Sequence, residues 1–179
     1  MKDNKRTDTC KRRRQTFTAG VLAATLVVGM ALSGCKTETA QTPKLTGSCI
    51  DILNEVYETA ELDTDLRGAM QYYETTTIDE SMEEYILGTD EVEYTDSAYS
   101  APMMSSVAYQ CVILRLEEDA DVVKAKQTLR DHAEPAKWIC VEADSVVVES
   151  VGDVILYVMA DKDTASAIKD AFLALGEVQ

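Results

Sequence analysis

The chain has 179 residues, with 17 Lys and Arg against 32 Asp and Glu, one histidine and a net charge of −15 at pH 7. That balance excludes a nucleic-acid partner, whose phosphates demand a basic face, and it excludes direct docking of the body on anionic lipid. Among the eight glycines there is no Gly-x-Gly-x-x-Gly and no phosphate loop, so no cofactor is expected.

Residues 1–34 are expected to be a lipoprotein signal peptide. Lys11, Arg12, Arg13 and Arg14 supply a positive head, and Ala19 to Leu32 is an uncharged apolar run too short to span a bilayer comfortably. Leu32-Ser33-Gly34-Cys35 follows directly and resembles the lipobox of bacterial lipoproteins. The resemblance implies diacylglyceryl transfer to the Cys35 thiol, cleavage between Gly34 and Cys35, and a place on the extracytoplasmic face of the cell membrane. An uncleaved anchor, or a secretory signal in which Cys35 is incidental, would read similarly. Arg13-Arg14 with Phe17 matches a twin-arginine signal only in part, because the aromatic stands one place too far along, so the general secretion route is favoured. The leader holds seven of the 17 basic and two of the 32 acidic residues, leaving 10 against 30 and a mature charge of about −20. Acyl chains on Cys35 would then hold the protein to the membrane while the acidic body stands off.

Residues 35–48 read as a flexible tether, polar and rich in Thr, with Pro43 and Gly47. Residues 49–179 read as a single α+β domain, made of a helical lead-in over 49–88 and a ββαββα segment over 89–179. In the lead-in, Ile50, Leu53, Val56, Tyr57 and Ala60 follow helical spacing behind Ser48 as N-cap. Thr75 to Thr77 breaks the period, and Asp79 opens a short helix through Met82, Tyr85 and Ile86 that stops at Gly88. Beyond Gly88 the period becomes alternating: 91–100 loosely, then Val107 to Leu116 as the clearest strand. A helix from about 119 to 132 comes next, with Val122, Val123, Ala125 and Leu129 expected to face inward. Val141 to Val151 and Val154 to Met159 are strands joined at Gly152-Asp153, and Asp161 caps a last helix through Ala165, Ile168, Phe172 and Leu175.

Val112-Ile113-Leu114, Asp119, Asp121 and Ala125 recur 42 residues later as Val154-Ile155-Leu156, Asp161, Asp163 and Ala167. Either a strand-strand-helix unit is used twice, or any strand leading through an acidic cap into a helix looks alike. Both give a four-stranded antiparallel sheet with the helices packed on one face.

Candidate chemistry is sparse. His132 is the only histidine and falls near a helix end, where an imidazolium complements the helix dipole; no nucleophile motif accompanies it. The clusters Asp79-Glu80 with Glu83-Glu84, Asp90-Glu91 with Glu93 and Asp96, and Glu117 to Asp121 lack the spacing of a calcium loop, so caps and solvated faces are the simpler reading. Beyond Cys35 the mature chain keeps Cys49, Cys111 and Cys140, an odd number that permits at most one disulfide within the chain and has no zinc spacing. Trp138 is expected to close the core behind the first unit. If Val112, Leu114 and Leu116 face the helices, then Tyr109, Cys111, Ile113 and Arg115 face away, and Ile155, Tyr157 and Met159 are expected to join them. Tyr109, Ile113, Tyr157 and Met159 are thus the candidate partner surface, for an envelope protein or a second copy, unless the 49–62 helix covers it.

Ile86-Leu87-Gly88-Thr89-Asp90, Ala101-Pro102-Met103-Met104, Ser105-Ser106-Val107-Ala108 and Gly152 before Val154-Ile155-Leu156 resemble, over about 86–175, an uncharacterised family of small Gram-positive bacterial lipoproteins. The resemblance implies a lipid-anchored α+β protein and assigns no site residue. The chain departs from that pattern after the first helix of the 89–179 segment, at His132-Ala133-Glu134-Pro135. The function expected is a non-catalytic binding or scaffolding module; the rival is an envelope enzyme or solute-binding lipoprotein with a carboxylate-based site.

Overall fold

A computed structural model describes residues 44–104 and 106–177. The expected signal peptide, Cys35 and positions 35–43 of the expected tether lie outside the described residues.

Helix α1 (Cys49–Thr59) starts at a capping box. Ser48 Oγ accepts from Asp51 N at 3.2 Å, and the Asp51 carboxylate accepts from Ser48 N at 3.0 Å. Its inward stripe is Cys49, Ile52, Leu53 and Val56. Helix α2 (Thr64–Met70) buries no residue, so no apolar stripe announces it; Asp63 caps it, and Arg67 reaches back to the Tyr57 and Ala60 carbonyls at the end of α1. Strand β1 (Tyr73–Thr76) is followed by a 3-10 turn (Glu80–Met82) and the short helix α3 (Glu83–Leu87). Gly88 ends α3 at φ 78°, and a Cβ there would lie 1.9 Å from the His132 carbonyl oxygen, so both conformation and close approach require glycine.

The remaining elements are β2 (Asp96–Pro102), β3 (Gln110–Arg115), α4 (Val122–Asp131), β4 (Ser145–Val151), β5 (Val154–Ala160) and α5 (Lys162–Leu175). Asp161 caps α5 as expected, accepting from Asp163 N and Thr164 N. The cap of α4 is Asp121, which accepts from Lys124 N at 3.0 Å; Asp119 is exposed, and the helix begins at 122. Val123 is likewise exposed, and Leu129 carries the burial of α4.

The sheet is antiparallel throughout and has five strands in the order β1-β2-β3-β5-β4, one more than expected. The additional strand is β1, Tyr-Glu-Thr-Thr, three of whose four side chains are exposed. Backbone pairing with β2 makes it a strand where the side-chain pattern is silent.

Register assigns the faces. Tyr99, Val112, Tyr157 and Val148 stand opposite one another in one row, and Ser100, Cys111, Val158 and Val147 in the next, so the rows point to opposite faces. The face carrying Cys111, Ile113, Leu156 and Val158 packs against α1 and α5. The face carrying Val112, Leu114, Tyr157 and Met159 packs against α3, α4 and Trp138, which closes the core as expected. The expectation of helices on one face is therefore corrected: the sheet is covered on both. With two covers every residue of β5 is buried, and its sequence is a continuous apolar run.

The repeat of 42 residues does not become a repeated unit. Helices α4 and α5 both pack on β4 and β5, from opposite sides, so α4 does not return over its own hairpin. Leu45, inside the expected tether of 35–48, is 3% exposed and belongs to the α1-side core, so the folded body begins ahead of that boundary.

Candidate functional site

The four residues expected to form a partner surface are core residues. Tyr109 is 2% exposed, and Ile113, Tyr157 and Met159 are fully buried. Tyr109 and Ile113 lie beneath α1, the cover that the sequence itself offered for them. Tyr157 and Met159 are on the other face, where the Tyr157 hydroxyl donates to Met159 Sδ at 3.4 Å. The sequence placed them with Ile113 by matching Ile155 to Ile113. In the antiparallel register Ile113 instead pairs with Leu156, and Tyr157 with Val112.

Under α1 the polar atoms are satisfied among themselves. Tyr57 and Tyr109 share a hydroxyl–hydroxyl bond of 2.8 Å, and the Tyr73 and Tyr109 rings meet at 5.1 Å between centroids. Burial pushes the Cys111 thiol up to about 12 and both Tyr57 and Tyr109 well above their ordinary range. Cys49 rises to about 12 through burial and then the adjoining Asp96 carboxylate, which also accepts from Cys49 N at 2.7 Å. Groups held neutral in this way are not nucleophiles at neutral pH. All three described cysteines are free thiols, two buried and Cys140 exposed. Among the described residues no cluster of His, Cys, Asp or Glu is arranged to hold a metal ion.

On the other face Lys137 fastens the segment between α4 and β4. Its Nζ donates to the Tyr85 carbonyl at 2.7 Å and lies 4.5 Å from the centroid of the Tyr85 ring and 5.6 Å from that of Trp138. Burial lowers its pKa to about 8, with Glu134 pulling the other way. His132 terminates α4 as expected, with Nδ1 bonded to the Thr128 carbonyl at 2.9 Å.

Two hollows among the described residues are open grooves. One of about 350 Å³ lies between α1 and α5 over Ile52, Ala171 and Ala174; another of about 360 Å³ is lined by Glu91, Glu93, Asp121 and Lys124. The second is where a carboxylate-based site would stand, but Asp121 Oδ1 is already engaged as the cap of α4.

The clearest built arrangement lies just ahead of α1. The Arg115 guanidinium, at the end of β3, donates to the Leu45 carbonyl at 3.0 Å and to the Gly47 carbonyl at 2.9 Å, with the Asp153 carboxylate 3.5 Å away. Arg115 was legible only as an outward-facing strand residue; its long-range acceptors are backbone atoms, which leave no trace in sequence. Among the described residues no helix is long and apolar enough to cross a membrane. No family model, no curated protein and no solved structure matches the chain.

Proposed function

We propose that the protein is a lipid-anchored extracytoplasmic module, held to the membrane through acyl chains on Cys35, that binds or scaffolds another envelope component without catalysing a reaction. The observation that carries this reading is the Arg115 clasp on Leu45 and Gly47. It sets the start of the folded body ten residues after Cys35, which limits its stand-off from the anchor to about 33–36 Å of fully extended chain. A mature charge of about −20 favours a body held away from anionic lipid. The resemblance to small Gram-positive lipoproteins points the same way.

Two experiments test it. Cys35→Ala should abolish labelling by a fatty-acid probe and either release the protein or stall it as precursor, and persistent labelling contradicts the anchor. Crosslinking in intact cells should capture a defined envelope partner, whereas turnover of a substrate by the purified chain would favour the enzymatic rival.

A further inference from the structure

The two edges of the sheet are treated differently. At β4 the Arg130 guanidinium donates to the Val148 carbonyl, and Lys126 Nζ reaches Glu149 at 2.9 Å and Ser150 Oγ at 3.4 Å, so α4 caps that edge with basic side chains. At β1 nothing equivalent occurs. Its principal packing is on β2 alone, Glu74, Thr75 and Thr76 are exposed, and among the described residues its outer backbone groups receive no hydrogen bond from a loop or side chain. An open strand edge is a row of N–H and C=O groups ready to pair.

The surroundings of β1 select what can pair there. Tyr73 pairs with Pro102, which brings Tyr72 (71% exposed) and Met103 (82% exposed) to the same end of the hairpin. Glu74 stands on the edge itself. Its charge, after burial and Tyr85, raises the hydroxyl of Tyr99, which pairs with Thr76, so this carboxylate acts on the β1–β2 face. No salt bridge among the described residues engages Glu74. A second copy, with a charge of about −20 of its own, would meet repulsion at this edge.

We infer that β1 is a docking edge for an extended cationic segment of a partner protein, which adds a strand outside Tyr73–Thr76, sets a basic side chain against Glu74, and rests apolar ones on Tyr72 and Met103. Main-chain pairing would supply affinity, and the alternate side chains specificity. This inference rests on the proposed binding role and names its partner's chemistry.

The test uses the full chain and a labelled peptide alternating lysine and valine, read by fluorescence anisotropy. Two peptides serve as controls: one alternates glutamate and valine, and the other is the lysine peptide N-methylated at alternate amides in either phase, which keeps the charge and removes the ladder. The lysine peptide should bind, the glutamate peptide should not, and N-methylation should weaken binding tenfold or more. Glu74→Lys, on an exposed side chain, should weaken binding at least fivefold with an unchanged circular dichroism melt. Equal binding of the N-methylated peptide, indifference to Glu74→Lys, no binding, or self-association through β1 would each overturn the inference. Cellular crosslinks that persist in Glu74→Lys would sink this edge while leaving the binding role standing; persistent fatty-acid labelling of Cys35→Ala would sink the membrane role without touching the peptide result.

Discussion

Strands β1 and β4 end the same sheet, yet one is open and acidic and the other is capped by bases from α4. On β4, Arg130 occupies the Val148 carbonyl and Lys126 neutralises Glu149, while α4 and α5 cover both faces. On β1 the exposed carboxylate of Glu74 has no partner among the described salt bridges, and little covers the strand. Unpaired edges invite association, and proteins usually blunt them. Blunting one edge and leaving the other would therefore separate a stability element from the proposed interaction element.

The largest effect should come from the β4 side. Leu129, fully buried between α4 and the sheet, should cost about 2–5 kcal/mol on truncation to Ala, whereas Thr76→Ala on β1 should stay within about 0.5 kcal/mol. Urea denaturation of the two variants checks this, and equal losses would break the contrast. Ile113→Asp belongs with the larger class, since it buries an unpaired charge beneath α1 and should prevent folding.

Alkaline pH should unfold the α1 side of the sheet. Cys49 and Cys111 titrate near 9.0 when unfolded and near about 12 when folded, so their contribution is complete below pH 9 and is lost as pH rises from 9 towards 12. At pH 10 each should cost on the order of 1 kcal/mol of stability. Tyr57, Tyr109 and Tyr157, all raised by burial, add the same sign above pH 10. Lys137, lowered to about 8, has the opposite sign: its contribution is present above 10.5 and lost as pH falls. With Tyr73, Tyr94 and Tyr99 also raised by burial, eight groups against one predict a melting temperature that drops between pH 9 and 10.5. A Cys111→Ala melt with an undiminished pH slope would contradict the assignment.

Much of this was legible in sequence. Helices α1 and α5 announce themselves through spacing and caps, Ser48 with Asp51 and then Asp161, because local hydrogen bonds and a single buried stripe dictate both. Strand β5 was equally visible, but its face was not: every residue from Val154 to Ala160 is buried, so no polar alternation marks a side, and Tyr157 and Met159 went to the wrong one. Strand β1 and helix α2 were invisible for the opposite reason, having almost no buried side chains to impose a period. The Arg115 clasp was unreadable because its acceptors are carbonyls about 70 positions away.

A smaller effect should follow from uncapping β4. Arg130→Met removes the donor to the Val148 carbonyl and should cost about 1 kcal/mol, together with a new tendency to self-associate through that edge. Sedimentation velocity checks the association; a strictly monomeric variant would show that α4 shields β4 by bulk rather than by Arg130.

Residue-resolved hydrogen exchange on the full chain, with and without the lysine–valine peptide, bears most directly on the contrast between the edges. In the free protein the amides of Tyr73–Thr76 should exchange far faster than those of Ser145–Val151, because little covers β1. Added peptide should protect Glu74 to Thr76 and leave β4 unchanged. Protection that appears along β4, or equal exchange of the two strands before any peptide is added, would contradict the division into a closed edge and an open one.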